Sequence, residues 1–267
     1  MCCFDKTGTL TKDEFIMKGV ASPHYDRPQT PGECDENTLS ILLGCNSLLW
    51  VNQKLVGDPI ELIVFKSSQG TISSNWISSP RKIKMFPLKR YVFDSVLKRM
   101  SVLVTFYSSL GDRVNRILTK GAPETMKPFF NNLPSNYDEC YNKYAKLGFR
   151  ILAIGYKDSN SFSAISKRDE VEKDLTFCGF IIVETPLKHD TEKYMKELKE
   201  AGFDMCIITG DHHLTTAKVS QDCALGPDDI LFLKVIAKKG EENIIETSKA
   251  ISNIKFNINN ILILIFN

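Results

Sequence analysis

The part of the sequence after Pro186 alternates between helix-type and strand-type patterns, and this feature restricts the fold most. Helices are predicted over TEKYMKELKEAG and LTTAKVSQDCAL, and strands over DMCII and DILFLKVI. Strands that alternate with helices at this spacing form a parallel sheet with crossover helices. The apolar run at residues 1–4 predicts a buried strand that needs such a sheet to join. We therefore expect one α/β domain built from residues 1–19 and 185–267, with residues 20–184 inserted as a second domain.

The inserted segment begins with two predicted helices and continues as a predicted antiparallel sheet. NTLSILLGCNSLLW carries apolar residues at helical spacing, and the next helix has Asp58 as N-cap, Pro59 at its first position and Glu61 at its third. KIKMFPLKRYVF, KRMSVLVTFY and RVNRILTK are rich in β-branched and aromatic residues and are separated by turn residues. The insert is therefore predicted to be an α+β domain.

Composition and charge exclude several classes of protein. With 34 Lys and Arg against 32 Asp and Glu, the net charge is +2, which gives no reason to expect a nucleic-acid partner. The eight cysteines form no C-x-x-C pair and several lie in apolar runs, which predicts reduced core residues and no zinc site. The longest apolar run, ILILIF, is far too short to cross a bilayer, so the chain taken alone is expected to be soluble.

Polar residues that suit phosphate chemistry follow two of the predicted strands. Asp5 follows the first strand, and Thr209, Gly210 and Asp211 follow a later one. Ligands bind at the carboxyl ends of the strands in sheets of this kind, so we expect these residues to converge at one edge. A carboxylate there can attack a phosphoryl group when a cation, hydroxyls and backbone N–H groups hold the phosphate oxygens. Lys6 supplies positive charge next to the aspartate.

The residue two positions after Asp5 bears on the fate of such a phosphoaspartate. It is Thr7, which cannot serve as a general acid or base, whereas many phosphatases with an aspartyl nucleophile have a second aspartate there. We therefore expect a phosphoaspartate that persists, which suits a reaction whose energy drives a conformational change.

Three motifs in this order resemble those of P-type ATPases. DKTGTLT at 5–11 resembles their phosphorylation loop, KGAPE at 120–124 their nucleotide-domain lysine motif, and TGD at 209–211 their phosphate-holding motif. CCFDKTGTLT, VGDPIE, FDSVLKRMSV, FRILAIGYK and TPLKHDT resemble in particular the type V-A subgroup of the endoplasmic reticulum, since the type V-B subgroup usually lacks the CCF and PLK-type stretches. The resemblance extends to about residue 235. It implies a HAD-like phosphorylation domain with an inserted nucleotide-binding domain.

The resemblance also implies a role for each matching residue. Asp5 would take the γ-phosphoryl group of ATP, and magnesium would be held by the Asp5 carboxylate and the Thr7 carbonyl. The phosphates would be surrounded by Lys6, Thr209, Gly210 and Asp211. In the insert, Phe93 would stack on adenine, and the other nucleotide contacts would be Glu61, Lys98, Lys120, Gly121 and Arg150.

For several of these residues the sequence leaves a purely structural alternative open. Glu61 could serve only in a capping box. Phe93 lies in an alternating strand and would by itself more often belong to the core. Lys98 and Arg99 could be a solvated strand end, and Arg150 a surface charge at a strand start. His212 and His213 are adjacent and do not share a helix face, so a turn and a helix start are expected there in place of a metal site.

The chain also departs from the complete P-type ATPase pattern. The membrane helices, the actuator domain and the later GDGxND motif, whose aspartate completes the magnesium site, are not in this sequence. We therefore expect a truncated catalytic piece of a parent protein at the cytosolic face of the endoplasmic reticulum membrane. Its partners would be ATP and the parent's membrane and actuator domains, without nucleic acid.

Three hypotheses follow for the function. The first is an autophosphorylating ATPase part that drives transport or dislocation of a membrane substrate. The second is a nucleotide-binding fragment without turnover, because its magnesium site is incomplete. The third, a free-standing phosphatase, is disfavoured by KGAPE in the insert and by Thr7.

Overall fold

The chain folds into two compact units in a computed structural model that describes residues 2–209, 213–223, 230–236, 244–248 and 261–266. Unit 1 comprises Met1–Phe15, Asn142–Arg150 and Glu184–Asn267, and unit 2 comprises Ile16–Tyr141 and Ile151–Val183. Unit 1 thus draws on both ends of the chain and on a short middle segment.

The bounds of the strands and helices are as follows. The strands in the described part of the chain are β1 (Cys2–Asp5), β2 (Ile16–Ala21), β3 (Leu49–Val51), β4 (Lys54–Val56), β5 (Thr71–Ser73), β6 (Trp76–Ser78), β7 (Lys84–Asp94), β8 (Arg99–Tyr107), β9 (Arg113–Gly121), β10 (Arg150–Asp158), β11 (Thr176–Glu184), β12 (Met205–Thr209), β13 (Ile230–Ile236), β14 (Ile244–Ser248) and β15 (Ile261–Phe266). The α-helices are α1 (Glu36–Gly44), α2 (Pro59–Ser67), α3 (Pro123–Met126), α4 (Tyr137–Lys146), α5 (Arg168–Val171), α6 (Thr191–Glu200) and α7 (His213–Asp222).

Unit 1 contains a five-stranded sheet in the order β1-β12-β15-β13-β14. The pairs β1 with β12, β12 with β15, and β15 with β13 are parallel, whereas β14 runs antiparallel to β13. Helix α6 precedes β12 and α7 follows it, as the alternating pattern predicted. The α/β class with a parallel sheet is confirmed, and the strand at the start of the chain does join that sheet.

The core of unit 1 combines one face of β12 with the helices beside it. Met205 and Ile207 stand two residues apart and therefore point to the same face of the strand, where Met195 of α6 packs with them. Ala217, Val219 and Cys223 from and after α7 complete the buried cluster together with Leu10. Leu10 belongs to the loop after β1, so the core fixes one end of the loop that carries the DKTGTLT motif.

Unit 2 is built on an eight-stranded sheet in the order β2-β11-β10-β9-β8-β7-β6-β5, with β3 and β4 as a separate hairpin. All neighbouring pairs from β5 to β10 are antiparallel, which confirms the antiparallel sheet predicted for the insert. Strand β8 is buried from Arg99 to Phe106, since it lies centrally and helix α1 contacts the sheet there.

The first two helices of unit 2 show where local sequence signals succeed and where they fail. Asp58 accepts hydrogen bonds from the N–H groups of Ile60 and Glu61 at 2.9 and 3.2 Å, which confirms the predicted N-cap. Helix α1, however, ends at Gly44, although helical spacing extended to Leu49. The Asn46 amide donates to the Leu43 carbonyl at 2.6 Å and so satisfies the end of the helix.

The cysteines are in part buried, as expected. Cys34, Cys45, Cys206 and Cys223 are buried, whereas Cys3 is exposed because β1 lies at the edge of its sheet. Within the described ranges, the helices are too short or too polar for a transmembrane span.

Candidate functional site

The first group of candidate residues lies at the carboxyl edge of the sheet in unit 1. Strands β1 and β12 are parallel neighbours whose register pairs Asp5 with Ile208, so Thr209 follows at the next position. Asp5 is exposed and Thr209 is buried. The structure thus places Asp5 and Thr209 at the same edge. Gly210 and Asp211 lie outside the described residues, as does His212.

The loop after Asp5 is an irregular helical turn that spans Lys6–Leu10. The Asp5 carboxylate accepts the Lys6 N–H at 2.7 Å, which fixes the orientation of the carboxylate. Thr11 closes the turn, because its N–H and its hydroxyl both donate to the Lys6 carbonyl, at 3.1 and 3.3 Å. Gly8 has a φ of +79°, a conformation that L side chains rarely adopt. The small residues of the motif are therefore needed for the turn itself.

The side chains of this turn alternate between core and solvent. Lys6 is 2% exposed, whereas Thr7 and Thr9 are exposed. Thr7 and Thr9 are therefore accessible to solvent, as Asp5 is.

The PLKHDT segment holds this turn from outside. The Lys188 ammonium donates to the Gly8 carbonyl at 2.6 Å, and the Lys188 N–H donates to the Leu10 carbonyl at 3.1 Å. The Thr191 hydroxyl donates to the same Leu10 carbonyl at 2.8 Å. Sequence reasoning gave these residues no role. The only signal for them was the TPLKHDT stretch, which resembled the family without indicating what it contacts.

The residues at this edge fit a magnesium ion that is shared with a phosphate. Magnesium is usually held by one or two carboxylates together with substrate phosphates and water. Asp5 offers an exposed carboxylate, and Thr7 follows it in an exposed part of the turn. Among the residues that the structure describes, no group of three or more His, Cys, Asp or Glu side chains could hold a metal.

The second group of candidate residues lies in unit 2, where Glu61 and Lys120 form a buried ion pair. The Lys120 ammonium is 2.9 Å from one Glu61 oxygen, and the side chains are 12% and 7% exposed. The other Glu61 oxygen accepts the Ser47 N–H at 2.8 Å. Both carboxylate oxygens are thus bonded to groups other than the N–H of Asp58 at the helix start. Glu61 therefore does not form the capping box that its position in the sequence allowed.

Phe93 and Lys98 lie at the tip of the β7–β8 hairpin. The Phe93 side chain is 61% exposed, contrary to the core position that strand alternation favoured. The reason is a register shift between Tyr91 and Asp94, which breaks the alternation just before the tip. Lys98 is also exposed, with a φ of +48°.

The KGAPE turn packs directly on this hairpin. The Ala122 N–H donates to the Lys98 carbonyl at 3.0 Å. A Cβ at Gly121 would come within 2.8 Å of that carbonyl and 2.7 Å of the Arg99 Cβ, so only glycine allows the approach. Gly121 therefore has a packing role that joins the Lys120 strand to the Lys98 end of the hairpin.

The two arginines with an open interpretation have different surroundings. Arg99 is 8% exposed, donates to Glu172 at 2.7 Å and lies 4.4 Å from the centre of the Phe129 ring. The solvated strand end considered for Arg99 is therefore wrong, because a buried carboxylate distant in sequence pairs with it. Arg150 is exposed at the first position of β10 and belongs to unit 1.

Comparisons with known proteins bear on the family. No protein-family model matches the chain. The chain is 35% identical over 242 residues to a probable manganese-transporting ATPase of Arabidopsis thaliana, a match that covers 87% of the chain. It is 31% identical over 258 residues to an endoplasmic reticulum transmembrane helix translocase of Saccharomyces cerevisiae, a match that covers 92% of the chain. The chain is homologous to the type V P-type ATPases.

The homology extends to type V ATPases with other named cargoes. A polyamine-transporting ATPase of Homo sapiens is 28% identical over 292 residues, a match that covers 90% of the chain. The chain spans about a fifth of the length of these relatives: 20%, 21% and 23% in the order given. The predicted family is thus confirmed. Its members are named for different transported substrates: manganese, transmembrane helices and polyamines.

Proposed function

We propose that the chain is the ATP-binding and autophosphorylating part of a type V P-type ATPase, with Asp5 as the residue that receives the phosphoryl group. In this proposal residues 1–19 and 185–267 form a HAD-like phosphorylation domain, and residues 20–184 form the nucleotide-binding domain. The observation that carries the proposal is the exposed Asp5 carboxylate at the carboxyl edge of a parallel sheet, next to the end of the Thr209 strand.

Asp5 would act as the nucleophile of the reaction. One carboxylate oxygen forms a bond to the γ-phosphorus of ATP, the bond from that phosphorus to the β–γ bridging oxygen breaks, and ADP leaves with the electron pair. The phosphates would be surrounded by Lys6, Thr209, Gly210 and Asp211; Lys6 would supply positive charge, and Thr209 and Gly210 would supply hydrogen-bond donors. Magnesium, bound by the Asp5 carboxylate, the Thr7 carbonyl and phosphate oxygens, would neutralise phosphate charge.

Thr7 then determines how long the aspartyl phosphate lasts. Its side chain is exposed beside Asp5 and offers a hydroxyl, which is neither a general base for water nor an acid at neutral pH. Hydrolysis would therefore be slow until another part of the parent protein assists it, which is the behaviour that coupling to a conformational change requires.

ATP would bind to unit 2 through its base and its phosphates. The exposed Phe93 ring offers a flat surface for adenine, and Lys98 lies on the same hairpin. Lys120 is held in place by Glu61, so its ammonium is positioned before a phosphate arrives. Gly121 lets the Lys120 strand approach the hairpin closely. Arg150 lies in unit 1, so its proposed role as a nucleotide contact rests only on the resemblance.

In the parent protein this reaction would drive movement of a membrane substrate at the cytosolic face of the endoplasmic reticulum. Relatives named as endoplasmic reticulum transmembrane helix translocases, at 29–31% identity, support that place and the type V-A assignment. The membrane and actuator domains of the parent would be its partners, and no nucleic acid would take part.

The test is transfer of label from γ-labelled ATP to the chain with magnesium, followed by an acid quench and a count of hydroxylamine-labile label. We expect label in the wild type and none in Asp5→Asn, which keeps an oxygen to accept the Lys6 N–H. Asp13→Asn is the matched control, because Asp13 is an exposed aspartate next to the same turn, and it should keep the label.

Two results would change the proposal. Equal label in Asp5→Asn and wild type would exclude Asp5 as the acceptor. Binding of ATP without any label would favour the second candidate, a nucleotide-binding module without turnover. The buried Glu61–Lys120 pair and the exposed Phe93 ring support that candidate, because they do not depend on Asp5.

A further inference from the structure

A buried carboxylate in unit 2, Glu172, lies between two arginines, Arg99 and Arg168. Glu172 is 1% exposed and accepts hydrogen bonds from Arg99 Nε at 2.7 Å and from the Ser101 hydroxyl at 2.5 Å. Arg168 Nε lies 3.1 Å from the same carboxylate. The Ser101 hydroxyl also pairs with Thr119 at 2.9 Å. A buried charge is tolerated only when it is paired and hydrogen-bonded in this way.

The two arginines reach the two strands of the β7–β8 hairpin. Arg99 is the first residue of β8 and directly follows Lys98. Arg168, which begins α5, donates through Nη2 to the carbonyls of Tyr91 and Val92, at 2.9 and 2.8 Å. These two residues directly precede Phe93. The Glu172 cluster, defined as Arg99, Ser101, Arg168 and Glu172, therefore holds both strands just behind the tip.

The hairpin needs this support because its own pairing is interrupted there. Tyr91 pairs with Ser101 and Asp94 with Arg99, while Val92 and Phe93 stand opposite a single residue in the shifted register. The Val92 carbonyl accepts a hydrogen bond from Arg168, and Val92 has no partner in the strand register. A bulged strand without such a bond would leave the Phe93 ring with more orientations.

We propose that Arg168 and Glu172 are positioning residues that fix the hairpin tip and thereby set the affinity for adenine nucleotides. This inference rests on the proposed function, in which Phe93 stacks on adenine. Preorganisation raises affinity because less side-chain and loop freedom is lost on binding. In this proposal the cluster acts through the backbone of Tyr91 and Val92, next to Phe93, without a contact to the nucleotide.

A second arginine–carboxylate pair in the same unit provides a matched control. Arg116 Nε and Nη2 donate to the two Asp158 oxygens at 2.6 and 2.8 Å, and Arg116 is 4% exposed. It lies on β9 four positions before Lys120, away from the β7–β8 tip. Loss of this pair should disturb the fold without affecting Phe93.

The experiment is a double-mutant cycle on binding of β,γ-methylene-ATP, measured by titration calorimetry with the full chain. Arg168→Met removes both hydrogen bonds to strand β7. Each hydrogen bond from a charged donor is worth more than about a factor of ten in an equilibrium constant, but only part of the lost free energy affects nucleotide binding. We therefore expect the Kd to rise about tenfold. Phe93→Ala should weaken binding at least as much. The double variant should bind no worse than Phe93→Ala alone, because Arg168 acts through that ring.

The controls separate positioning from general damage. Asp158→Asn should lower the melting temperature and leave the Kd within about twofold of wild type. Ser101→Ala removes one donor to Glu172 with little change in volume. It should weaken binding in the same direction as Arg168→Met, and it replaces that variant if the latter does not fold.

The outcomes distinguish this inference from the proposed function. An unchanged Kd in Arg168→Met and Ser101→Ala, with weaker binding in Phe93→Ala, overturns the positioning role alone. Losses that add in the double variant overturn it too, because they indicate an independent contact. An unchanged Kd in Phe93→Ala overturns the adenine platform and this inference with it.

Discussion

Gly8 allows the geometry of the turn after Asp5 to be tested against a closely matched position. Gly8 and Gly202 belong to unit 1 and have φ angles of +79° and +78°. A Cβ at Gly8 would collide with the Asp13 carboxylate, whereas nothing lies within 4 Å of a Cβ at Gly202. Replacement by alanine therefore costs the same backbone energy at both positions, and only Gly8→Ala adds a steric term.

The magnitudes follow from those two terms. A left-handed conformation destabilises the folded state by about 1–2 kcal/mol for an L residue. Alanine also lowers the conformational entropy of the unfolded chain, which stabilises the folded state by about 0.4–1 kcal/mol. Gly202→Ala should therefore lower the free energy of unfolding by about 1 kcal/mol. Pushing the Asp13 side chain out of its rotamer adds about 1 kcal/mol, so Gly8→Ala should lose about 2 kcal/mol.

The assay must follow unit 1 by itself. Trp50 and Trp76 both lie in unit 2, so tryptophan fluorescence reports on that unit. Cys223 is 0% exposed in the core of unit 1, so its alkylation against urea concentration, measured by mass spectrometry, records the opening of unit 1. With an m-value of about 2 kcal/mol/M, we expect midpoint shifts of about 1 M for Gly8→Ala and about 0.5 M for Gly202→Ala.

The steric argument also predicts a rescue. Adding Asp13→Ala to Gly8→Ala should remove the collision and bring the midpoint shift back to that of Gly202→Ala. Equal shifts for the two single glycine variants would refute the reasoning, because the Asp13 contact would then contribute nothing.

Three further predictions concern the ion pairs and thiols. Glu61→Gln leaves Lys120 as a buried charge without its partner and should lower the free energy of unfolding by about 3 kcal/mol; an unchanged midpoint in tryptophan fluorescence would contradict this. Burial raises the pKa of Cys45 to about 12, so a maleimide at pH 8 should leave it unmodified until the chain unfolds, as peptide mass mapping would record. The Arg27 guanidinium lowers the pKa of Glu33 from 4.5 to about 2. The ionised Glu33 therefore stabilises the folded chain above this range, and this stabilisation should be lost as the pH falls from 4.5 to about 2. In Glu33→Gln the free energy of unfolding should fall less steeply over the same pH range in an acid-unfolding experiment.

The order of helices and strands in unit 1 was predictable because its signals are local. Apolar spacing predicted α6 and α7, and the run DMCII predicted β12. The topology then required Asp5 and Thr209 to approach each other, since parallel strands deliver their ends to one edge. The insertion of β15 between β12 and β13 was not predicted, because strand order in a sheet leaves no local pattern in the sequence.

The parts of the candidate site that escaped prediction depend on partners distant in sequence. Arg99 was considered a solvated strand end, yet its partner Glu172 lies 73 residues away. For Phe93, strand alternation by itself favoured a core position over the accessible one that the resemblance implied, because alternation cannot reveal the register shift that turns the ring outward. Glu61 matched a capping box, but the buried Lys120 offered its carboxylate a stronger interaction than the helix start.

The pairing of β1 with β12 has a consequence for the synthesis of the chain. Cys2 pairs with Met205, so the ribosome must add about 200 residues before the first strand meets its neighbour. At about 5–20 residues per second this wait lasts on the order of 10–40 s, longer than most single domains need to fold. Throughout that interval the apolar MCCF stretch has no sheet to join and stays open to chaperones.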